Sequence, residues 1–189
     1  MPPFPQIRLQ TPRLLLRPLQ PTDAPALWAI YADAEFMRYW SSPPWTSLAQ
    51  AQRLIEGDLK EMAAGEHVRL GLFLRTTQAL VGTGSLFHLH HACRRAELGY
   101  GIARPHWRRG LMHEGVGALI DWAFGPLGLH RLEADIDPRN LASAASLRKL
   151  GFVQEGLLRE RWIVGSEVSD SALYGLLARE WAGRGPGTA

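Results

Sequence analysis

The sequence predicts a fold of the α/β class, and three observations carry that expectation. The first is the run from Ala96 to Phe124, which passes from a strand through an arginine-rich loop into a helix. With a strand's period of two, Ala96, Leu98, Tyr100 and Ile102 face one way, while Glu97, Gly99 and Gly101 face the other. Val116, Leu119, Ile120, Ala123 and Phe124 then recur at helical spacing. The second is that strand-like and helix-like stretches are interleaved along the rest of the chain. The third is size: 189 residues of 46% hydrophobic composition suffice to bury a core.

Taken in order, residues 1–8 are proline-punctuated and expected to be a loose lead, with one domain over 9–182 and a glycine-rich, flexible tail over 183–189. Arg13 to Leu19 reads as a first strand. Thr22 or Asp23 can cap the next helix, whose apolar positions are Leu27, Ile30 and Tyr31. Between Phe36 and Trp45 a proline-rich aromatic stretch either walls a cleft or plugs the core. Ser47 to Ala64 is a helix with Leu48, Ala51, Leu54, Ile55, Leu59 and Met62 inward and Gly65 as its stop.

Val68 to Leu74 and Leu80 to Leu89 form two strands across a polar turn. After the central strand and helix, Leu129 to Ile136 alternates as a fifth strand. Asn140 stands at the start of the helix Leu141 to Leu150, which Gly151 ends in the left-handed position. Residues 152–164 and 168–177 make a final hairpin.

Composition narrows the function. Net charge is +3, Lys60 and Lys149 are the sole lysines, and the remaining cations are arginines, which suit fixed anion contacts. Cys93 is the one cysteine, so no intrachain disulfide forms and a reducing cytoplasm fits. No apolar run has transmembrane length, and no membrane partner is expected. Glu97, Glu114 and Asp121 interrupt the arginines, which argues against nucleic acid. His88, His90, His91 and Cys93 raise the question of a metal, with His88 and His90 on one strand face. No zinc-type spacing joins them to other ligands, so they read as a polar strand end.

The arginine loop carries chemistry. The helix beginning near Gly110 offers free N–H groups and a partial positive charge, and Arg104, Arg108 and Arg109 flank it. Such a helix start suits a phosphate, and a pyrophosphate above all. The two glycines thin the preceding strand and leave Glu97 beside bare backbone, as a docking edge would.

From Asn140 the chain resembles a known family. Asn140-Leu-Ala-Ser143-Ala-Ala-Ser146-Leu-Arg-Lys149-Leu-Gly151-Phe152 is similar to the signature of GNAT-type N-acetyltransferases, in particular the branch that acetylates ribosomal-protein N-termini. Trp107-Arg-Arg-Gly110-Leu-Met112-His-Glu114 resembles that branch's acetyl-CoA loop. Thr11-Pro-Arg13-Leu14-x-Leu16-Arg17-Pro18-Leu19 resembles its first strand, and Asp170, Tyr174 and Glu180-Trp181 its end. The four motifs lie in register over residues 9–181. Three positions depart: Met112 and Arg108 are bulkier than the usual small residues of the loop, and Leu147 stands where many members keep a proton-donating tyrosine.

The resemblance implies a mixed, mainly antiparallel sheet with helices on both faces, splayed between strands 96–103 and 129–136. It also implies acetyl-CoA as cosubstrate and a primary amine as acceptor. Backbone amides of Arg109, Gly110, Leu111, Met112 and His113 would face the pyrophosphate, with charge from Arg104, Arg108 and Arg109. The pantetheine arm would pair with Leu98, Tyr100 and Ile102 as an added strand. Trp107, Ser146 and Lys149 complete the expected coenzyme contacts, and Trp107 and Trp162 line the cleft. Glu97 is the candidate base, directly or through water, with Glu160 second. Ser143 would supply the thiolate's proton and Asn140 would orient the acetyl or pantetheine amide. A protein N-terminal α-amine leads as acceptor, followed by an antibiotic, a polyamine or another small amine. An acetyl-CoA-sensing module without turnover is the rival, no metal is called for, and a homodimer stays open.

Overall fold

In the first strand the alternation is plain: Leu14 and Leu16 are fully buried, while Leu15 and Arg17 lie half-buried on the opposite face. The structure, a computed structural model, describes residues 4–182. Its strands are β1 (Leu9–Gln10), β2 (Leu14–Pro18), β3 (Val68–Leu74), β4 (Leu80–His90), β5 (Arg95–Ile102), β6 (Arg131–Ile136), β7 (Val153–Val164) and β8 (Glu167–Leu177). They form one sheet in the order β1-β2-β3-β4-β5-β6-β8-β7. Every neighbouring pair is antiparallel except β5–β6.

Helices cover both faces. On one lie α1 (Ala24–Tyr31), α2 (Ala34–Met37) and α3 (Leu48–Ala64), whose Leu27, Ile30, Tyr31, Phe36, Met37 and Ile55 pack with Leu19 and Phe73. The Tyr31 hydroxyl lies 3.0 Å from Thr83 Oγ1 of β4, fixing that face. On the other lie α4 (Leu111–Phe124) and α5 (Leu141–Lys149), with Val116, Leu119, Ile120 and Leu147 packed over Leu14, Leu72, Leu98 and Leu132. α4 comes close to the sheet because Gly115 has no side chain. A Cβ there would meet Leu72 Cδ2 at 2.6 Å and Leu14 Cδ1 at 3.1 Å. A short α6 (Ala178–Ala182) ends the described chain.

Local chemistry sets the ends of α3 and α5 but not the start of α1. Ser47 and Gln50 form a capping box for α3, and Gly65 ends it at φ 78°. Asn140 Oδ1 accepts the Ser143 N–H at 3.0 Å to cap α5, and Gly151 follows at φ 92°. Asp23 sits at the N-cap position of α1 but makes no cap bond. Its carboxylate instead pairs with Arg17 at 2.7 Å and accepts the Gln20 N–H at 2.7 Å, so the expected cap does not form.

Other local expectations are corrected by contacts distant in sequence. Phe4–Gln6 form a 3-10 turn rather than a loose lead, and buried Phe4 meets Trp122 edge-on. Residues 1–3 and the tail 183–189 lie outside the described residues. Leu48, expected inward on α3, is exposed. His88 and His90 do not share a regular strand face, because His88 has φ 51° and the register shifts between Phe87 and His90. The fifth strand starts at Arg131, two residues later than the alternation suggests.

The feature that positions the site is a short pairing. β5 and β6 are matched only at Arg95–Arg131, Ala96–Leu132 and Glu97–Glu133. Beyond Glu97 the two strands part, and residues 98–102 pair with β4 alone. This is the splay, and it leaves one main-chain edge of β5 open toward α5.

Candidate active site

At one end of the splay stands the start of α4. Arg108 at φ 59° and Gly110 at φ 72° turn the chain into the helix, and no side chain caps it. The first-turn N–H groups therefore lack a capping acceptor. Glu114 in that turn is held by Thr11 Oγ1 at 2.5 Å, by the Arg13 backbone N–H at 2.8 Å and by the Arg13 guanidinium. Burial pushes the Glu114 carboxyl up, but the hydrogen bonds from Thr11 and Arg13, with Arg13's charge, hold it below its ordinary range. Arg13 also donates to the Arg109 carbonyl at 2.7 Å, which ties the residue before Gly110 to the start of β2.

The predicted phosphate residues are not all alike. Arg108 and Arg109 are exposed beside the helix start, whereas Arg104 reaches back to Asp33 at 3.3 Å and is partly neutralised. Met112 packs against the core, so its bulk is directed inward rather than across the helix start. Trp107 donates its indole N–H to the Ile102 carbonyl at the end of β5. Uncapped amides, two exposed arginines and an open strand edge together fit the phosphates and the peptide-like arm of acetyl-CoA.

Across the splay the structure brings Tyr100, Asn140 and Ser143 together. The Tyr100 hydroxyl lies 2.8 Å from Ser143 Oγ and 3.4 Å from the Ser143 carbonyl oxygen. Burial pushes the Tyr100 phenol up to about 12, against a smaller opposing effect of its bond to Ser143. Asn140 spends its Oδ1 as the helix cap. Ser146 is half-buried, Lys149 exposed, and Leu147 fully buried in the core.

Glu97 lies at the last matched position of β5 and β6, opposite Phe87 on β4 and Glu133 on β6. His88 Nδ1 is 3.0 Å from its Oε2, and its side chain retains 22% exposure. The face it shares with Gly99 and Gly101 is not bare. A Cβ on Gly101 would meet Phe36 at 2.7 Å and Trp40 at 3.0 Å, and one on Gly99 would meet Phe87 and Ser85 at 3.0 Å. The glycines therefore admit aromatic rings, and the open feature is the strand's edge rather than its face.

The same rings settle the aromatic stretch. Trp45 stacks on Tyr31 at 4.4 Å and Trp40 on Phe36 at 5.4 Å, so that segment is packed into its own cluster. Glu160 is exposed at φ 52° in a bulge of β7, anchored by its backbone N–H to Asp170 at 2.8 Å. Trp162 Nε1 reaches Asp135 at 3.4 Å.

Among the described residues, Asp58, Glu61 and His67 lie close enough together to share a metal ion. Arg69 already sits 3.0 and 3.1 Å from the two oxygens of Asp58. That guanidinium takes one acceptor site on each oxygen and sets a positive charge beside the carboxylate that a cation would have to share. Two groupings escaped the sequence reading: the Tyr100–Ser143 bond and the Thr11–Arg13–Glu114 clamp. The clamp had a signal in the Thr11-Pro-Arg13 motif, but nothing in either segment pointed to its partner.

Comparison with known proteins gives a consistent set of relatives. Residues 13–153 match the Acetyltransferase (GNAT) domain family. The uncharacterized N-acetyltransferase p20 of Bacillus licheniformis is 34% identical over 175 residues, covering 93% of this chain and 98% of that one. The [ribosomal protein uS5]-alanine N-acetyltransferase of Escherichia coli is 28% identical over 187 residues, covering 94% of each. The spermidine N-acetyltransferase of Vibrio cholerae, solved with CoA and spermine, superposes with a TM-score of 0.81 at 22% identity over 91% of this chain and 99% of that one. At that identity the likeness concerns the fold.

Proposed function

The chain belongs to the GNAT acetyltransferase family, and on that premise we propose that it acetylates the α-amine of a protein N-terminus from acetyl-CoA. When bound, acetyl-CoA supplies a thioester whose acetyl carbon accepts an amine. The observation that carries the reading is the open edge of β5 beyond Glu97, running from Ser143 toward the uncapped start of α4. Backbone amides of residues 111–113 and the side chains of Arg108 and Arg109 hold the phosphates. Residues 98–102 hold the arm. Asn140 fixes the first turn of α5, and with it Ser143, which donates a hydrogen bond to the departing sulfur. Glu97 takes the amine's proton, directly or through water.

Two considerations favour an α-amine. Deprotonating one of pKa about 8 at pH 7 costs about 1.4 kcal/mol, against about 4.6 kcal/mol for a lysine of pKa about 10.4. A modest base suffices for the first. Second, a polyamine needs spare negative charge, and the carboxylates on the strands beside Glu97 are already paired. On β6 Glu133 bonds Arg95 and Arg131 and Asp135 bonds Arg161, and in the turn just beyond it Asp137 bonds Arg139. The uS5-alanine relative supports the same acceptor class, and a reducing cytoplasm suits the exposed thiol of Cys93.

A panel of ribosomal N-terminal peptides, spermidine and lysine, read by a thiol-detecting dye, tests this. Peptide turnover above that of either small amine is expected; spermidine outpacing every peptide overturns the acceptor. Replacing Arg108 and Arg109 by Glu is expected to weaken coenzyme A about 100-fold or more, each lost charge-assisted bond contributing about 1.5–3 kcal/mol. A pantetheine fragment without phosphates should bind both proteins alike in calorimetry. An equal loss for that fragment contradicts the phosphate assignment.

A further inference from the structure

Tyr100 lies on the core-facing row of β5 with Ala96, Leu98 and Ile102, which are buried. Its hydroxyl leaves that row and crosses the splay to Ser143 on α5, the residue assigned above to the departing sulfur. A serine hydroxyl has one proton to donate and can accept other bonds. If that proton went to Tyr100, none would remain for the sulfur. The phenol is the stronger acid of the two, so it is the better donor in the pair, and Ser143 Oγ at 2.8 Å is a nearer acceptor for it than the Ser143 carbonyl at 3.4 Å.

We propose that Tyr100 is a positioning residue for acetyl transfer: it donates its only hydroxyl proton to Ser143 Oγ, leaving the serine's own proton free for the sulfur. The inference rests on the Ser143 assignment above. Asn140 supports the arrangement from the backbone side, since its side chain fixes the Ser143 N–H and thus the turn that carries the hydroxyl. Burial keeps the phenol protonated, with its value pushed up to about 12, so the direction of donation does not reverse near neutrality. A thiol, ordinarily near 8.5, is a stronger acid than such a phenol. Tyr100 therefore keeps its proton, and no covalent or proton-transfer step passes through it. Leu147, one turn further along α5, is fully buried and offers no hydroxyl; the hydroxyl that reaches Ser143 comes from β5 across the splay.

The test compares Tyr100→Phe, Ser143→Ala and the double variant by kcat and KM for acetyl-CoA at saturating peptide. Melting temperatures are read alongside, and Ser143→Thr serves as the variant that keeps a hydroxyl. Tyr100→Phe should lower kcat about tenfold, the worth of one hydrogen bond made in the transition state, with KM within twofold. The double variant should be no worse than Ser143→Ala alone. Ser143→Thr should retain most of kcat, but lose it when combined with Tyr100→Phe.

Full kcat in Tyr100→Phe with a damaged Ser143→Ala overturns the role of Tyr100 and spares that of Ser143. Full kcat in Ser143→Ala overturns both. Losses that simply multiply, or a rise in KM alone, also overturn the positioning role. Should Tyr100→Phe melt far below the parent, the Ser143→Thr result still decides: kcat no better than that of Ser143→Ala counts against the hydroxyl pair.

Discussion

Glu97→Gln is expected to acetylate an α-amine peptide about 100-fold more slowly than the parent at pH 7, at the lower end of the usual contribution of a general base. The amide is isosteric and can keep a hydrogen bond to His88, so the strand junction at Glu97 and Glu133 should survive. Affinity for acetyl-CoA should hold, because no proposed coenzyme contact uses this side chain. The deficit should shrink as pH rises. Near pH 9 an amine of pKa about 8 is mostly neutral, and the base has less to contribute. A rate measured from pH 6.5 to 9.5 checks this. A deficit constant across that range, or none, removes Glu97 as the base.

The largest expected effect on stability lies on β3, two strands from β5 in the sheet. Asp58 of α3 and Arg69 of β3 form a pair with 9% and 17% side-chain exposure, beside buried His67. Burial pushes the Asp58 carboxyl up to about 6 from 3.8, and Arg69 works against that rise. Arg69→Leu removes the opposing charge and leaves a buried carboxylate unpaired, which costs about 3 kcal/mol at pH 7–8.

The sign with pH follows from linkage. A folded-state value above the unfolded one means that the folded protein binds more protons through the window between them. Stability from this group therefore falls as pH rises, in the parent from about 4 to about 6. In Arg69→Leu the window extends higher, so the variant's deficit should be largest at pH 7–8 and small near pH 4–5. His67 acts in the same direction. Its value is lowered to about 4 by burial first and by Arg69 and His88 next, so losing Arg69 lets it charge more readily in acid and face Asp58 at 3.4 Å. Urea unfolding at pH 5 and pH 7.5 reads this, and an equal loss at both contradicts the account.

What was legible in the chain is what short-range spacing determines. The strand character of β2, the Gly65 stop of α3, the Asn140 cap and the turn at Gly110 are set by residues within a few positions of each other. The short β5–β6 pairing matches the splay implied by the family signature. What stayed hidden depends on partners far along the chain. Gly101 read as a bare ligand face, but Phe36 and Trp40, more than sixty residues earlier, rest on it. Arg104 read as a phosphate ligand, yet Asp33 holds it. Asp23 read as a cap, but a carboxylate finding both Arg17 and the Gln20 N–H gains more there than at a helix start. Tyr100 read as one more residue of a strand edge, because its Ser143 partner comes from α5, on the far side of the splay.

The central claim is that the open edge of β5 and the uncapped start of α4 hold one coenzyme, with its sulfur end at Ser143. A crystal structure of the protein with coenzyme A tests it most directly. The account predicts pyrophosphate oxygens on the amides of residues 111–113, pantetheine amides bonded to the main chain of residues 98–102, and sulfur within about 3.5 Å of Ser143 Oγ, the reach of a weak hydrogen bond. Coenzyme A bound anywhere else, or a sulfur remote from Ser143 with the phosphates correctly seated, would contradict it.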